Sequence, residues 1–272
     1  MPAAYAHYRF GRELLGQLPA ALGSIVDSCR SFYDLGLHGP DLLFYYRPLH
    51  KNPVSALGSA IHRDCALDFF RPAGEQLHRS QSPELTAYIY GCICHFSLDL
   101  FCHGYIRRVT DQGGPGHNEQ EAALDLLLLK EDGLEPRPGI RVRHINPSPA
   151  IGQVIAPLYP GIGPGKLCSA MLSMKMLDGF LGLRGPGLSL VRGILNLSGS
   201  GRQLEGMLLN LPGNNELESL ARELMELYCQ AQDTALRLIS EFRDSAWGRS
   251  GYDPLYRYSF DARLVGPEKE RK

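Results

Sequence analysis

His95, Asp99 and His103 stand four residues apart inside an otherwise apolar run, Tyr-Ile-Tyr-Gly-Cys-Ile-Cys-His-Phe-Ser-Leu-Asp-Leu-Phe-Cys-His over residues 88–103. On an α-helix that spacing puts all three on one stripe, drifting only about 40° per step. After a glycine-rich loop (Gly113, Gly114, Gly116), His117 and Glu121 repeat the same four-residue interval. Polar side chains facing inward from apolar helices are costly to bury unless something satisfies them. A divalent metal cluster does. At about 1.5 Å rise per residue, His95 and His103 lie roughly 12 Å apart along the helix axis. Zinc–nitrogen bonds are only about 2 Å long, so a single ion held by both is disfavoured. Asp99 lies midway, with two oxygens able to bridge. The economical arrangement puts His95 and Asp99 on one metal and His103, His117 and Glu121 on another. The chain is therefore expected to fold as an all-α, multi-helix bundle enclosing a multinuclear metal site.

The remaining composition narrows the classes. A net charge of -1 offers no bulk attraction to nucleic acid or an anionic membrane. No run of about 18 apolar residues is present, so no transmembrane helix is expected. The first ten residues lack a basic segment followed by an apolar one, so no secretory signal is read there. The seven cysteines are an odd number, and Cys92, Cys94 and Cys102 lie in apolar helical sequence. Buried reduced thiols in a cytoplasmic protein are the expectation.

Helical patterns cover most of the chain. Residues 14–26 are helix-prone but interrupted at Pro19, and residues 35–53 read as a loop with a turn at Gly39-Pro40-Asp41. A helix over 56–70 is expected to end before Pro72. A long helix over 83–110 starts with Ser82 as N-cap and Pro83 at its first position. Another spans 119–131, followed by a proline-rich linker over 133–149. These patterns divide the chain into a metal-binding region, residues 1–147, and a C-terminal helical region, residues 148–272, packed on the first. In the second region, candidate helices cover 166–180, 188–197 and 203–211, and a long amphipathic helix covers 214–247. His38, His50, His78 and His144 lack ligand spacing and read as surface or loop residues.

The ordered motifs resemble the bacterial zinc-dependent phospholipase C family over roughly residues 5–147. They are Ala-His7-Tyr-Arg-Phe, Gly-Pro-Asp41, Ile-His62, His95-x3-Asp99-x3-His103 and His117-x3-Glu121. The resemblance implies an all-α fold, also like that of helical zinc nucleases, holding three zinc ions in a cleft; two or three ions are expected in this chain. It implies that His62, His95 and Asp99 hold one ion, that His103, His117 and Glu121 hold a second, and that His7 with Asp99 helps hold a third. Asp41 matches the family's acidic residue beside the attacking water, a candidate general base. In secreted members the mature N-terminus completes the third site. Here six residues precede His7, so that site is expected to be looser than the others. Leu-Phe-Cys also replaces a slightly longer, proline-containing segment, which keeps His103 on the helix of Asp99.

The implied activity is a zinc phosphodiesterase of phospholipase C type that uses a metal-bound hydroxide. Its substrate is a phospholipid or a small phosphodiester. Peripheral membrane contact is compatible with this reading, and no protein partner is implied. Two alternatives stand beside it: a single-strand nuclease-like zinc phosphodiesterase, and a non-catalytic metal-binding protein. The near-neutral charge and lack of a basic, aromatic-interleaved patch argue against stable nucleic-acid binding. Other divalent transition metals suit the same ligands.

Overall fold

The structure, a computed structural model, describes residues 3–183 and 215–265. Its helices are α1 (Ala4–Leu15), α2 (Ala20–Ser28), α3 (Arg30–Gly36), α4 (Pro53–Arg63), α5 (Ala66–Ser80), α6 (Pro83–Asp111), α7 (His117–Glu131), α8 (Pro149–Ile155), α9 (Pro164–Leu181) and α10 (Asn215–Ala246). Short 3-10 helices occupy Gly39–Tyr45 and Pro254–Arg257. Among the described residues the only strand-like pairing is an isolated bridge, Tyr258 to Leu264. The fold is all-α.

Helix α6 is the axis of the bundle. Ser82 caps it by accepting the Leu85 N–H through its hydroxyl, and Pro83 occupies the first turn where no donor is needed. The helix is long and apolar enough to cross a membrane, yet 89% of its apolar window is buried inside the molecule. It is a core helix, wrapped by α1, α3 and α10. The α3–α6 contact is made backbone to backbone. A methyl on Gly36 would fall on the Tyr88 carbonyl oxygen, and one on Gly91 would fall on the Tyr33 carbonyl oxygen. Among the described residues the main apolar core, running from Tyr5 on α1 to Phe242 on α10, also takes in Phe260.

Two expectations need correction. The helix read over 56–70 is two helices, α4 and α5, separated at Asp64 and Cys65, whose backbones are extended. Contacts with the distant segment after α10 hold the break: the Ala66 N–H donates to the Tyr258 carbonyl, and the Cys65 thiol donates to the Tyr256 carbonyl. Helix α5 then continues through Pro72 rather than ending before it. Proline there removes one helical hydrogen bond at a cost of about 3 kcal/mol. Burial of Phe69, Phe70, Ala73 and Leu77 along one face offsets that loss. Residues 35–53, read as a loop, contain the 3-10 helix Gly39–Tyr45. The candidate helices at 188–197 and 203–211 lie outside the described residues.

The α3–α6 crossing has a direct test. Gly91→Ala drives a methyl into a carbonyl that cannot move without moving α3. Thermal unfolding is expected to show a loss of about 2 kcal/mol or more, roughly 5 °C or more in Tm. An unchanged Tm would show that the helices do not meet at this distance.

Candidate metal centre

Seven of the eight sequence-selected residues are buried; His117, the eighth, is 42% exposed at its side chain. They come from five elements: His7 from α1, Asp41 from the 3-10 helix Gly39–Tyr45, His62 from the last turn of α4, His95, Asp99 and His103 from α6, and His117 and Glu121 from α7. The structure brings all of them together.

Asp99 is the hub. Its Oδ1 lies 3.3 Å from His7 Nε2 and 3.4 Å from His103 Nε2, and its Oδ2 lies 3.1 Å from His95 Nε2. Glu121 Oε1 lies 3.4 Å from His103 Nε2 and 3.3 Å from His117 Nε2. Asp41 Oδ1 is 2.9 Å from His62 Nε2. The His7 and His95 rings stack with centroids 4.2 Å apart. Three groups therefore have ligand atoms within 4.8 Å of one another: His7, His95 and Asp99; Asp41, His62 and His95; His103, His117 and Glu121. The third is the trio expected from sequence. His95 belongs to two groups, and Asp41, expected beside the water, falls in the group of His62 and His95.

The tautomers are set from behind. His62 Nδ1 donates to the Gly58 carbonyl at 2.8 Å, His95 Nδ1 to the Leu37 carbonyl at 3.2 Å, and His103 Nδ1 to the Phe260 carbonyl at 2.9 Å. A carbonyl oxygen can only accept, so Nδ1 carries a proton in each ring and Nε2 is the atom turned to the centre. This is the outer-shell arrangement that orients histidine ligands on metals. Gly39 has φ +47°, and a methyl there would lie 2.7 Å from the His95 ring, so only glycine lets the 3-10 helix pass behind that ring.

The electrostatics show strong mutual influence between these carboxylates and imidazoles. Burial alone would raise the Asp99 carboxyl, but His103 and His95 outweigh it and hold the group well below the usual carboxylate range. Burial likewise opposes ionisation of Glu121, and the nearby positive charge, His117 included, keeps it well below its ordinary value. His103 is pushed up to about 9, because Asp99 and Glu121 overcome the effect of burial. In His7, burial and the neighbouring His95 win and the imidazole is lowered.

These residues fit a metal. The donor set is imidazole nitrogen with carboxylate oxygen, the set zinc takes. His62 Nε2 and His95 Nε2 are buried without an aligned hydrogen-bond partner, although carboxylate oxygens lie close by. Atoms that approach one another without hydrogen-bond alignment suit convergence on a shared cation.

A cleft of about 240 Å³ opens against this centre. His103 and His117 line it together with Arg107, Thr110, Asp111 and Arg263.

Sequence reasoning missed the three carbonyl acceptors, since a carbonyl carries no residue-type signal. His38 and His144, read as surface or loop residues, both lie in turns, and it is their pairing that the sequence did not show. His38 is buried, its Nε2 lies 2.8 Å from His144 Nε2, and Tyr8 stacks on His144 at 3.8 Å. One ring must donate and the other accept, so at least one of the two is neutral, and burial lowers His38 well below its ordinary value. Burial, then Lys175, pushes His144 down to about 3.

A helical bundle with a buried carboxylate–imidazole centre defines a metal-dependent class. Residues 6–156 match the family described as zinc dependent phospholipase C. The match covers more than half of the 272 residues, and the chain belongs to that family. Comparison with curated proteins and with solved structures gives no match. Membership supports a zinc-dependent hydrolase, with zinc as cofactor and a phospholipid as the substrate class.

Metal stoichiometry tests the hub. Zinc-reconstituted protein is expected to carry at least two ions per chain by elemental analysis, and Asp99→Ala is expected to lose more than one. Full retention of metal by Asp99→Ala would remove Asp99 from the centre.

Proposed function

We propose that this protein is a zinc phosphodiesterase of phospholipase C type. In this reading His7, His62, His95, Asp99, His103, His117 and Glu121 are the metal ligands, and Asp41 is the catalytic carboxylate. The observation that carries it is Asp99, buried and flanked at 3.1–3.4 Å by imidazoles from two helices. A cluster of two or three ions accounts for that carboxylate better than one. Zinc at such a centre lowers the pKa of bound water towards neutrality and offsets charge on a phosphoryl group.

The chain's own residues supply the rest. Asp41 is held well below the usual carboxylate range: burial would raise it, but surrounding positive charge, His62 included, prevails. It is therefore ionised at neutral pH and can accept a hydrogen bond that orients the attacking water; acting as general base requires its proton affinity to rise when substrate and cations are bound. Water adds to phosphorus as the bond to the leaving alcohol breaks; the water gives up one proton, and the alcohol oxygen takes one up from solvent water as it leaves. Arg107 and Arg263, at the rim of the cleft, can donate to non-bridging phosphoryl oxygens. His117, the most exposed member of the centre, marks the side from which substrate enters.

Asp41 also lies within reach of the His62 and His95 group, which supports a ligand role as a second reading. Asp41→Asn separates the two. A general base predicts retained zinc and a rate on a chromogenic phosphodiester lowered by about 10²-fold or more. A ligand predicts loss of an ion. The parent protein should hydrolyse that diester and phospholipid in mixed micelles, lose both activities to chelator and recover them with zinc. Full zinc loading without turnover on either substrate would overturn the enzyme reading in favour of metal storage. Cleavage confined to single-stranded DNA would favour the nuclease alternative.

A further inference from the structure

The segment after α10 lies outside the family match, which ends at residue 156, yet it touches the metal centre at several points. Phe260 is fully buried, and its carbonyl accepts the His103 Nδ1–H at 2.9 Å across 157 residues of sequence. The next residue reaches two helices: the Asp261 N–H donates to the His62 carbonyl at 3.2 Å, and the Asp261 carbonyl accepts from Arg107 Nη1 at 2.6 Å. Arg107 is one turn beyond His103 on α6, so one helix grips two successive carbonyls of this segment. The Phe260 ring lies 5.5 Å from the His62 ring and 5.8 Å from the His95 ring, with Phe96 at 5.2 Å.

The segment is itself braced. The Ser259 N–H donates to the Arg263 carbonyl at 2.8 Å, the Ala262 N–H returns to the Ser259 carbonyl at 3.0 Å, and Ala262 sits at φ 54°. The result is a tight turn whose apex carbonyls face the metal centre. A generic core contact would require only the Phe260 ring. Here the backbone polar groups are also directed at a ligand histidine, at the residue that bears another, and at the arginine beside the first.

We propose that residues 256–263 form a strap that fixes His103 and His62 in ligand geometry, with Phe260 as the positioning residue that seats it. The proposal rests on reading these two histidines as metal ligands. The strap touches no reacting atom. It acts by holding the His103 tautomer and ring plane, with Nδ1 protonated and Nε2 directed at the centre. It also couples the C-terminal part of the chain to the metal affinity of the N-terminal part. Removing an outer-shell partner of a ligand histidine typically lowers metal affinity by about 10- to 100-fold.

The test measures zinc affinity by chelator competition in the parent chain, Phe260→Ala and Arg107→Gln, together with the His103 Nδ1–H resonance in zinc-loaded protein. The expected result is a loss of about 10- to 100-fold for Phe260→Ala, with the His103 Nδ1–H exchanging faster with solvent. Arg107→Gln should show a smaller loss in the same direction, and Arg107→Lys should recover part of it. Arg107 is only partly buried, so its variants keep the test decisive if Phe260→Ala does not fold. Leu77→Ala, in the core at the far end of α5, controls for stability: its Tm should fall with zinc affinity unchanged. Parental affinity and an unchanged His103 resonance in the folded strap variants would overturn the strap while leaving the metal reading intact. Equal affinity loss in Leu77→Ala would overturn it as well. Failure of the parent chain itself to bind zinc would overturn the metal reading, and the strap with it.

Discussion

A carboxylate buried in the middle of an apolar helix must be compensated, and the compensation of Asp99 organises this molecule. Three imidazoles approach it: His95 and His103 from one turn below and above on α6, and His7 from α1. Each brings its own support. His95 requires the Leu37 carbonyl and the glycine at 39 behind it, which sets the path from α3 into the 3-10 helix bearing Asp41. His103 requires the Phe260 carbonyl, which draws the chain back across the bundle after α10. An uncompensated charge in such a site costs several kcal/mol. The polar groups of five elements converge on it, and their backbones are packed so that they can.

The pattern of candidate ligands was legible because it is local. Intervals of four residues on a helix are readable in one dimension, so His95, Asp99, His103, His117 and Glu121 follow from spacing alone. The long central helix was equally legible from Ser82-Pro83 and the apolar run behind it. His7, His62 and Asp41 were reached by resemblance in motif order. Spacing says nothing about which helices come together, and those residues sit on three separate elements.

What stayed hidden depends on distant contacts. The break at Asp64 and Cys65 has no proline or glycine to announce it; it is held by carbonyls almost two hundred residues away in sequence. Pro72 carries a strong stop signal, overridden by the buried face on either side of it. His38 and His144 look unremarkable until the fold places one ring against the other. Phe260 reads as an ordinary aromatic, because its backbone carbonyl makes the contact. In each case the deciding partner is far along the chain or belongs to a backbone group common to every residue.

The central claim is that Asp99 is shared between metal ions held by opposite turns of α6. An anomalous-scattering map collected at the zinc edge from crystals of the zinc-loaded protein tests it most directly. The account predicts two or more peaks, with one Asp99 oxygen at about 2.0–2.2 Å from an ion bound by His95 and the other carboxylate oxygen at a similar distance from a second ion. A single peak, or several peaks with Asp99 outside coordination distance of all but one, would contradict it.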